Sequence, residues 1–297
     1  MAFRSKRVLL TGADGFTGRY LVPALEAAGW DAYGLSQKAA TSEREIVADL
    51  LDTGSLAGAV KKVQPDAVIH LAAISFVGHA DPIDFYRVNM FGTMNLLSAI
   101  QDAGLSPRKI IVASSANVYG NPPCEHIDED ACPAPVNHYA MSKLAMEHMV
   151  RSHFERLNVL ITRPFNYTGI GQDKNFLVPK IVDHFRRGAD QMELGNLDVA
   201  RDFLDVRDVA AAYVRLLESD ASSEVVNICS GEAVSLQKIV SMAEQISGRS
   251  MDVRVNPKFV RANEIKRLAG DNLRLRSHGW KKQYSFEETL RWMLTAD

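Results

Sequence analysis

Tyr139 and Lys143 stand four residues apart in the run Tyr139-Ala140-Met141-Ser142-Lys143. On a helix that spacing puts both side chains on one face. A cation beside a phenol stabilises the phenolate and lowers the phenol's pKa from about 10, at about 1.4 kcal/mol per unit. Such a tyrosine can exchange a proton with an alcohol or carbonyl oxygen near neutral pH. The spacing alone is a frequent accident, so its surroundings decide its weight. Upstream, Ser114-Ser115-Ala116-Asn117-Val118-Tyr119-Gly120 follows directly on an apolar run that reads as a strand. In open α/β sheets, ligands bind at that end of the strands.

A second constellation opens the chain. Thr11-Gly12-Ala13-Asp14-Gly15-Phe16-Thr17-Gly18 has glycines at G-x-x-G-x-x-G spacing, between an apolar run and a helical pattern. Glycine lets such a turn tighten and lets backbone approach a pyrophosphate, whose charge is favoured at a helix N-terminus. The context points to a dinucleotide. A site for NAD usually places Asp or Glu at the end of the second strand, where it accepts from the ribose 2′-OH. Here that strand ends Gly34-Leu35-Ser36-Gln37-Lys38. Ser36 does not repel a 2′-phosphate and Lys38 can pair with one, which favours NADP(H) over NAD.

The elements that must hold these groups follow from the apolar pattern. Short apolar runs predict strands at 8–10, 31–35, 45–48, 67–71, Lys109–Ala113 and 159–162. Between them, patterns predict helices at 16–28 (closed by Gly29), 56–63 (stopped by Pro65), 81–104 and 137–157. Strands of unbroken apolar character, alternating with helices, predict a parallel sheet covered on both faces. After Pro164 the rhythm breaks into turn residues, with helices predicted at 176–187, Val206–Glu218 and 235–246 and a strand at Val225–Ile228 that returns to the first sheet. The expected fold is α/β: a doubly wound Rossmann sheet with a smaller α/β C-terminal lobe. The dinucleotide domain is expected over 1–163 with 204–228 returning to it, and the second lobe over 164–203 and 229–297.

Composition excludes several alternatives. The 297 residues are 46% hydrophobic and 24% charged, as in globular proteins and unlike disordered ones. With 34 Lys+Arg against 36 Asp+Glu, the net charge of −2 gives no field for nucleic acid or an acidic membrane. Cys124, Cys132 and Cys229 show no C-x-x-C or zinc spacing and read as reduced thiols. The eight histidines show no zinc motif, so no metal is expected, and His70 reads as a packed residue. Met1–Arg7 lacks the apolar stretch of a signal peptide, and no run reaches the roughly 20 apolar residues of a membrane helix. A cytoplasmic location is expected. The absence of a G-x-S-x-G elbow argues against a serine hydrolase.

Further motifs accompany these: His70-Leu71-Ala72-Ala73, Asn89, Arg163-Pro164-Phe165-Asn166, Arg201-Asp202-Phe203-Leu204-Asp205-Val206 and Asn227-Ile228-Cys229-Ser230-Gly231. Together, and over nearly the whole chain, they resemble the extended short-chain dehydrogenases/reductases that act on nucleotide sugars. Gly169-Ile170-Gly171-Gln172, and Arg261-Ala262-Asn263-Glu264 followed by Gly270-Asp271, resemble the GDP-mannose branch. Within that branch, the short chain and the run from Ala200 to Val209 look like GDP-4-keto-6-deoxymannose reductases. Sugar 4,6-dehydratases usually carry acidic residues directly after the catalytic hydroxyl residue. Ala116 and Asn117 occupy those places, and neither can act as acid or base.

The resemblance implies a catalytic set of Ser115, Tyr139 and Lys143. It implies that the dinucleotide is held by Gly12, Asp14, Gly15, Phe16, Thr17 and Gly18, by Ser36 and Lys38, and by Asp49 and Leu50 after the third strand. Leu71, Ala72, Ala73, Ser75 and Asn89 would complete that site with Ala113, Tyr139, Lys143, Pro164 and Asn166. The nucleotide sugar would meet Ser75, Ser115, Ala116, Asn117, Tyr139, Asn166, Asn175 and Phe176, with Glu264, and with Arg201 and Arg261 on its diphosphate. The activity so implied is reduction by NADPH of the C4 keto group of a GDP-linked 4-keto-6-deoxyhexose. A 4-epimerase with tightly held NAD is the alternative, and a non-catalytic dinucleotide-binding protein a more distant one. The 81–104 helix is apolar around most of its circumference, so a homodimer through it and the 137–157 helix is expected, as in the family's dimers.

Overall fold

A computed structural model describes residues 6–260 and 265–296. The first half alternates strand and helix: β1 (Lys6–Thr11), α1 (Phe16–Ala27), β2 (Trp30–Ser36), β3 (Glu45–Val47), α2 (Thr53–Val63) and β4 (Ala67–His70). It continues through α3 (Pro82–Phe85), a π turn at Tyr86–Phe91, α4 (Gly92–Asp102), β5 (Lys109–Ala113), α5 (His138–Arg151) and β6 (Val159–Pro164). Then come β7 (Asn166–Thr168), α6 (Leu177–Arg186), β8 (Gln191–Leu194), β9 (Ala200–Asp205), α7 (Val206–Glu218) and β10 (Val225–Ile228). The chain ends with β11 (Ala233–Ser235), α8 (Leu236–Ser247), β12 (Asp252–Val255), β13 (Arg267–Leu268), α9 (Leu273–Ser277) and α10 (Phe286–Thr295).

Seven parallel strands form the large sheet, in the order β10-β6-β5-β4-β1-β2-β3. The order reverses between β1 and β4, and a crevice opens there beyond the strand ends. The central strands are buried on both faces, which explains their unbroken apolar runs. On one face Leu21 and Leu25 of α1 pack with Val209, Tyr213 and Leu216 of α7. On the other, Leu56 and Val60 of α2 join Leu96 and Ile100 of α4 and Met146 and Val150 of α5. The doubly wound α/β architecture expected from sequence is the one observed. Lys109 fastens the two ends of this unit: its buried ammonium donates to Leu216 O at 2.8 Å and Ser219 O at 2.6 Å, capping the last turn of α7.

A second core lies among α6, α8 and α10 against β8 and β9, built on Ile181, Phe185, Leu194, Phe203, Ile239 and Leu290. Here β9 pairs with β7, β11 and β13, and β8 with β12. These short strands were not anticipated. Most have two to four residues, too few for a period to show.

Three helices differ from expectation. α2 starts at Thr53 because the Asp52 carboxylate accepts from Gly54 N at 3.0 Å, and it ends at Gln64, which is left-handed at φ 46° before Pro65. The helix expected over 81–104 is broken by the π turn, which carries Asn89 into a set of tertiary hydrogen bonds. α5 ends at Arg151, not near 157: the Ser152 hydroxyl donates to Met149 O at 2.7 Å and competes with the backbone ladder. Among the described residues no helix is long and apolar enough to cross a membrane.

Candidate active site

The crevice at the strand reversal deepens into a cavity of about 470 Å³, in the size range of small-molecule sites. Its floor is the glycine turn after β1. Gly12 has φ +72°, and a Cβ there would lie 3.0 Å from Ala72 N. Gly15 N donates to Gly12 O at 3.1 Å, closing the turn. A Cβ on Gly18 would fall against Gly12 O and 2.5 Å from Ala13 O, so only glycine lets α1 start this close to the turn. Gly15 caps α1 with no side-chain hydrogen bond, and the helix has no acid in its first turn. Gly15, Phe16, Thr17 and Gly18 line the cavity, which puts the positive end of the helix dipole beside it. These features fit a dinucleotide's pyrophosphate. We expect Gly18→Ala to lower dinucleotide affinity at least about tenfold, the equivalent of about 1.4 kcal/mol, because backbone must move; a fluorescence titration checks it.

The wall opposite is set by a buried relay. Thr93 Oγ1 donates to Asn89 O at 2.7 Å and accepts from His70 Nε2 at 2.9 Å. That fixes the His70 tautomer, so Nδ1 accepts from Thr11 Oγ1 at 2.7 Å, and Thr11 Oγ1 accepts from Ala72 N at 3.1 Å. Burial, with the Lys143 charge nearby, pushes the imidazole down to about 3, so it stays neutral. Asn89 Oδ1 accepts from Ile74 N at 2.9 Å, while its Nδ2 donates to Ile74 O and Ser142 Oγ. The loop carrying Leu71, Ala72, Ala73 and Ser75 past the cavity is thereby held, and Asn89 acts behind that wall, not on the cavity surface.

α5 brings Tyr139 and Lys143 to the opening beside Ser115. Asn137 caps α5, its Oδ1 accepting from Ala140 N at 2.9 Å. Lys143 Nζ donates to Ala113 O at 2.8 Å, and Ser115 Oγ accepts from Asn117 N at 3.2 Å. The expected electrostatics are corrected here. Burial pushes the Tyr139 phenol up to about 12, a hydrogen bond with Ser115 opposing it, and the Lys143 charge is not among the causes. Burial also brings Lys143 down to about 8, against the pull of Glu147. Desolvation dominates at both groups because both are almost wholly covered.

Of the residues singled out in the sequence, the cavity surface carries Gly12, Asp14, Gly15, Phe16, Thr17 and Gly18, and Leu71, Ala72, Ala73 and Ser75. It also carries Ala113, Ser115, Ala116, Asn117, Tyr139, Lys143, Pro164, Asn166 and Phe176. Ser36, Lys38, Asp49, Leu50, Asn89, Asn175 and Arg201 are not on it. Asp49 Oδ1 accepts from Leu51 N, and Leu50 packs under Gly92. Arg201 lies on β9, where its guanidinium donates to Ala200 O at 3.0 Å and Lys266 O at 3.4 Å; its register neighbour Leu268, not Arg201, reaches the cavity. Arg261 and Glu264 lie outside the described residues.

The cavity adds residues that sequence reasoning missed. Ser114 is buried, and its Oγ has no hydrogen-bond partner among the described residues, leaving it to a ligand. Tyr167 stacks on Phe16 with centroids 6.0 Å apart, and its hydroxyl meets Thr17 Oγ1 at 2.8 Å. Tyr213 reaches in from α7, its hydroxyl 3.2 Å from Thr162 Oγ1. Phe165, Gln172, Asp173 and Leu268 complete the set. Ser114 stood in plain view beside Ser115, whereas Tyr213 looks like any core position of an amphipathic helix. No group of three or more potential metal ligands occurs among the described residues.

Comparison with known proteins agrees with this geometry. The sequence model of the family described as GDP-mannose 4,6 dehydratase matches residues 9–293. The chain is 38% identical over 270 residues, covering 91% of it and 90% of the relative, to a GDP-6-deoxy-D-talose 4-dehydrogenase of Aggregatibacter actinomycetemcomitans. It is 34% identical over 305 residues, 98% of this chain and 97% of the other, to a GDP-6-deoxy-D-mannose reductase of Pseudomonas aeruginosa. The structure of RMD from Pseudomonas aeruginosa complexed with NADPH superposes with a TM-score of 0.85 at 33% identity, covering 98% of each chain. With the family match running almost from end to end, this chain belongs to the GDP-mannose 4,6 dehydratase family of enzymes.

Proposed function

We propose that the protein is an oxidoreductase that uses NADPH to reduce the C4 keto group of a GDP-linked 4-keto-6-deoxyhexose, with NAD(H) the alternative cofactor. The observation that carries the reading is the convergence of Ser115, Tyr139 and Lys143 on one cavity that is floored by a glycine turn. A reduced nicotinamide, when bound, supplies hydride. The glycine turn and the α1 N-terminus would hold its pyrophosphate. Tyr139 would donate its proton to the C4 oxygen, and Ser115 would hydrogen-bond the same oxygen, so that C=O becomes CH–OH. The Ala113 carbonyl fixes Lys143 one turn along α5 from Tyr139, where its charge would stabilise the phenolate left behind.

Dehydration needs more than this. Ala116 is buried and Asn117 is an amide, so the two places after Ser115 offer no carboxyl group. Among the described cavity residues the carboxylates are Asp14, at the glycine turn, and Asp173, whose Oδ1 accepts from Asn175 N at 2.8 Å. Supplying GDP-mannose with NADP+ should therefore yield no 4-keto-6-deoxy product. Absorbance loss of NADPH should instead follow addition of a GDP-4-keto-6-deoxyhexose, and more slowly of its dTDP and UDP counterparts. Release of water from GDP-mannose overturns the choice of reductase. The relatives named for oxidation or reduction of GDP-6-deoxyhexoses support the reading. Exposed Ile83, Phe91 and Met141 along α3, the π turn and α5 support a second copy of the chain as partner through those helices.

A further inference from the structure

The end of β2 carries no acid, yet the fold brings one to it. Gly12 N donates to Leu35 O at 3.3 Å, which lays the glycine turn against the end of β2. The bare Gly34 permits it, since a Cβ there would come 2.8 Å from Ala13 Cβ. As a result Asp14 Oδ2 lies 2.8 Å from Lys38 Nζ. Ser36 joins them: its Oγ accepts from Lys38 N at 3.1 Å. An acid, a hydroxyl and an ammonium thus converge between the glycine turn and the β2 terminus, where a dinucleotide's adenosine ribose is read.

We propose that Asp14, supplied by the glycine turn, is the residue that sets selectivity at the ribose 2′ position, by holding Lys38 back from a 2′-phosphate and by accepting from a 2′-OH. The proposal rests on the reading of the glycine turn as a dinucleotide site. A 2′-phosphate must draw Lys38 away from Asp14 and then sit beside an uncompensated carboxylate. A 2′-OH needs neither change. Lys38 hydrogen-bonding keeps Asp14 ionised by lowering its pKa, so the carboxylate repels phosphate throughout the neutral range. The side chains are 42% and 78% exposed, so the pair contributes little to the fold. The preference for NADPH that Ser36 and Lys38 would give is therefore held down by one ion pair, Asp14–Lys38.

The test is titration of the purified wild type, Asp14→Asn and Lys38→Gln with NADPH and NADH, followed by protein fluorescence, and with 2′-AMP and 5′-AMP as fragments by calorimetry. Asp14→Asn keeps shape and removes charge, so the ratio of Kd for NADH to Kd for NADPH should rise about tenfold, a difference of the size one partly exposed charge produces. Lys38→Gln should move it the other way. In the Asp14→Asn background, Lys38→Gln should weaken NADPH more than in the wild type, because Lys38 is then released to the phosphate. If both dinucleotides bind and Asp14→Asn leaves the ratio unchanged, the role of Asp14 is refuted while the site stands. If neither dinucleotide binds the wild type, the site reading fails and the proposal with it.

Discussion

Tyr139→Phe should lower turnover by roughly 10²- to 10⁴-fold, the usual worth of a positioned proton donor, while dinucleotide affinity is retained. The ring keeps its place, edge-on to Phe85 at 5.9 Å, and only the hydroxyl is lost. Wild-type turnover in this variant would remove Tyr139 from the chemistry. The pH profile provides a second handle. With the phenol pushed up to about 12, the proton to be donated stays in place through neutral pH, so Tyr139 itself does not limit reduction there. Lys143, pushed down to about 8, loses its charge as pH rises through that value. Forming a phenolate beside a neutral amine costs more, so reduction should slow above about pH 8, well before Tyr139 titrates. A profile flat from pH 7 to pH 10 would contradict this assignment of Lys143.

The second large effect is on stability. Tyr139, Lys143 and Glu147 share one face of α5, and Glu147 ends that row in a buried ion pair with Arg163 of β6. The pair is bidentate, Nε to Oε1 at 2.9 Å and Nη2 to Oε2 at 2.6 Å, with both side chains at most 2% exposed. Arg163 also lies over the Tyr119 ring at 4.7 Å, and the Tyr119 hydroxyl donates to Asn227 Oδ1 at 2.8 Å. Burial works against the guanidinium charge, yet the Glu147 carboxylate holds its pKa above the ordinary arginine value. Glu147→Leu strands that charge and should cost about 3–5 kcal/mol, whereas Glu147→Leu with Arg163→Met should recover most of the loss. Thermal unfolding should show the single variant lower by roughly 10 °C, given a few degrees per kcal/mol in chains of this order. A single variant as stable as the double would mean that the ion pair does not hold α5 to the sheet.

How much of this was legible beforehand depended on what each feature rests on. β1, β4, β5 and β6 were legible because strands buried on both faces must be apolar throughout, as Val8–Leu10 and Ile110–Val112 are. The glycine turn and the Tyr139–Lys143 spacing were legible because local geometry alone dictates them. The π turn was not, since it depends on Asn89 finding partners on Ile74 and Ser142, far away in sequence. The order of pKa effects at Tyr139 was not, because a neighbour four residues away shows in the sequence and near-total burial does not. The sequence shows no acid at the end of β2, and that the fold brings Asp14 of the glycine turn to Lys38 there was not legible, because it depends on the Gly12–Leu35 contact. Arg201 carried a family motif, but β9 directs its guanidinium to the carbonyls of Ala200 and Lys266.

The proposed reaction is net hydride transfer to C4, matched by a proton from Tyr139. Its most direct test supplies a GDP-4-keto-6-deoxyhexose with NADPH deuterated at the transferable position of C4 of the nicotinamide, and reads the product by NMR. One deuterium should appear at C4 of the hexose for each NADP+ formed, and in Tyr139→Phe the same product should accumulate roughly 10²- to 10⁴-fold more slowly. Recovery of the keto sugar unchanged, or interconversion of C4 epimers of a GDP- or UDP-hexose with no net oxidation of NADPH, would contradict it.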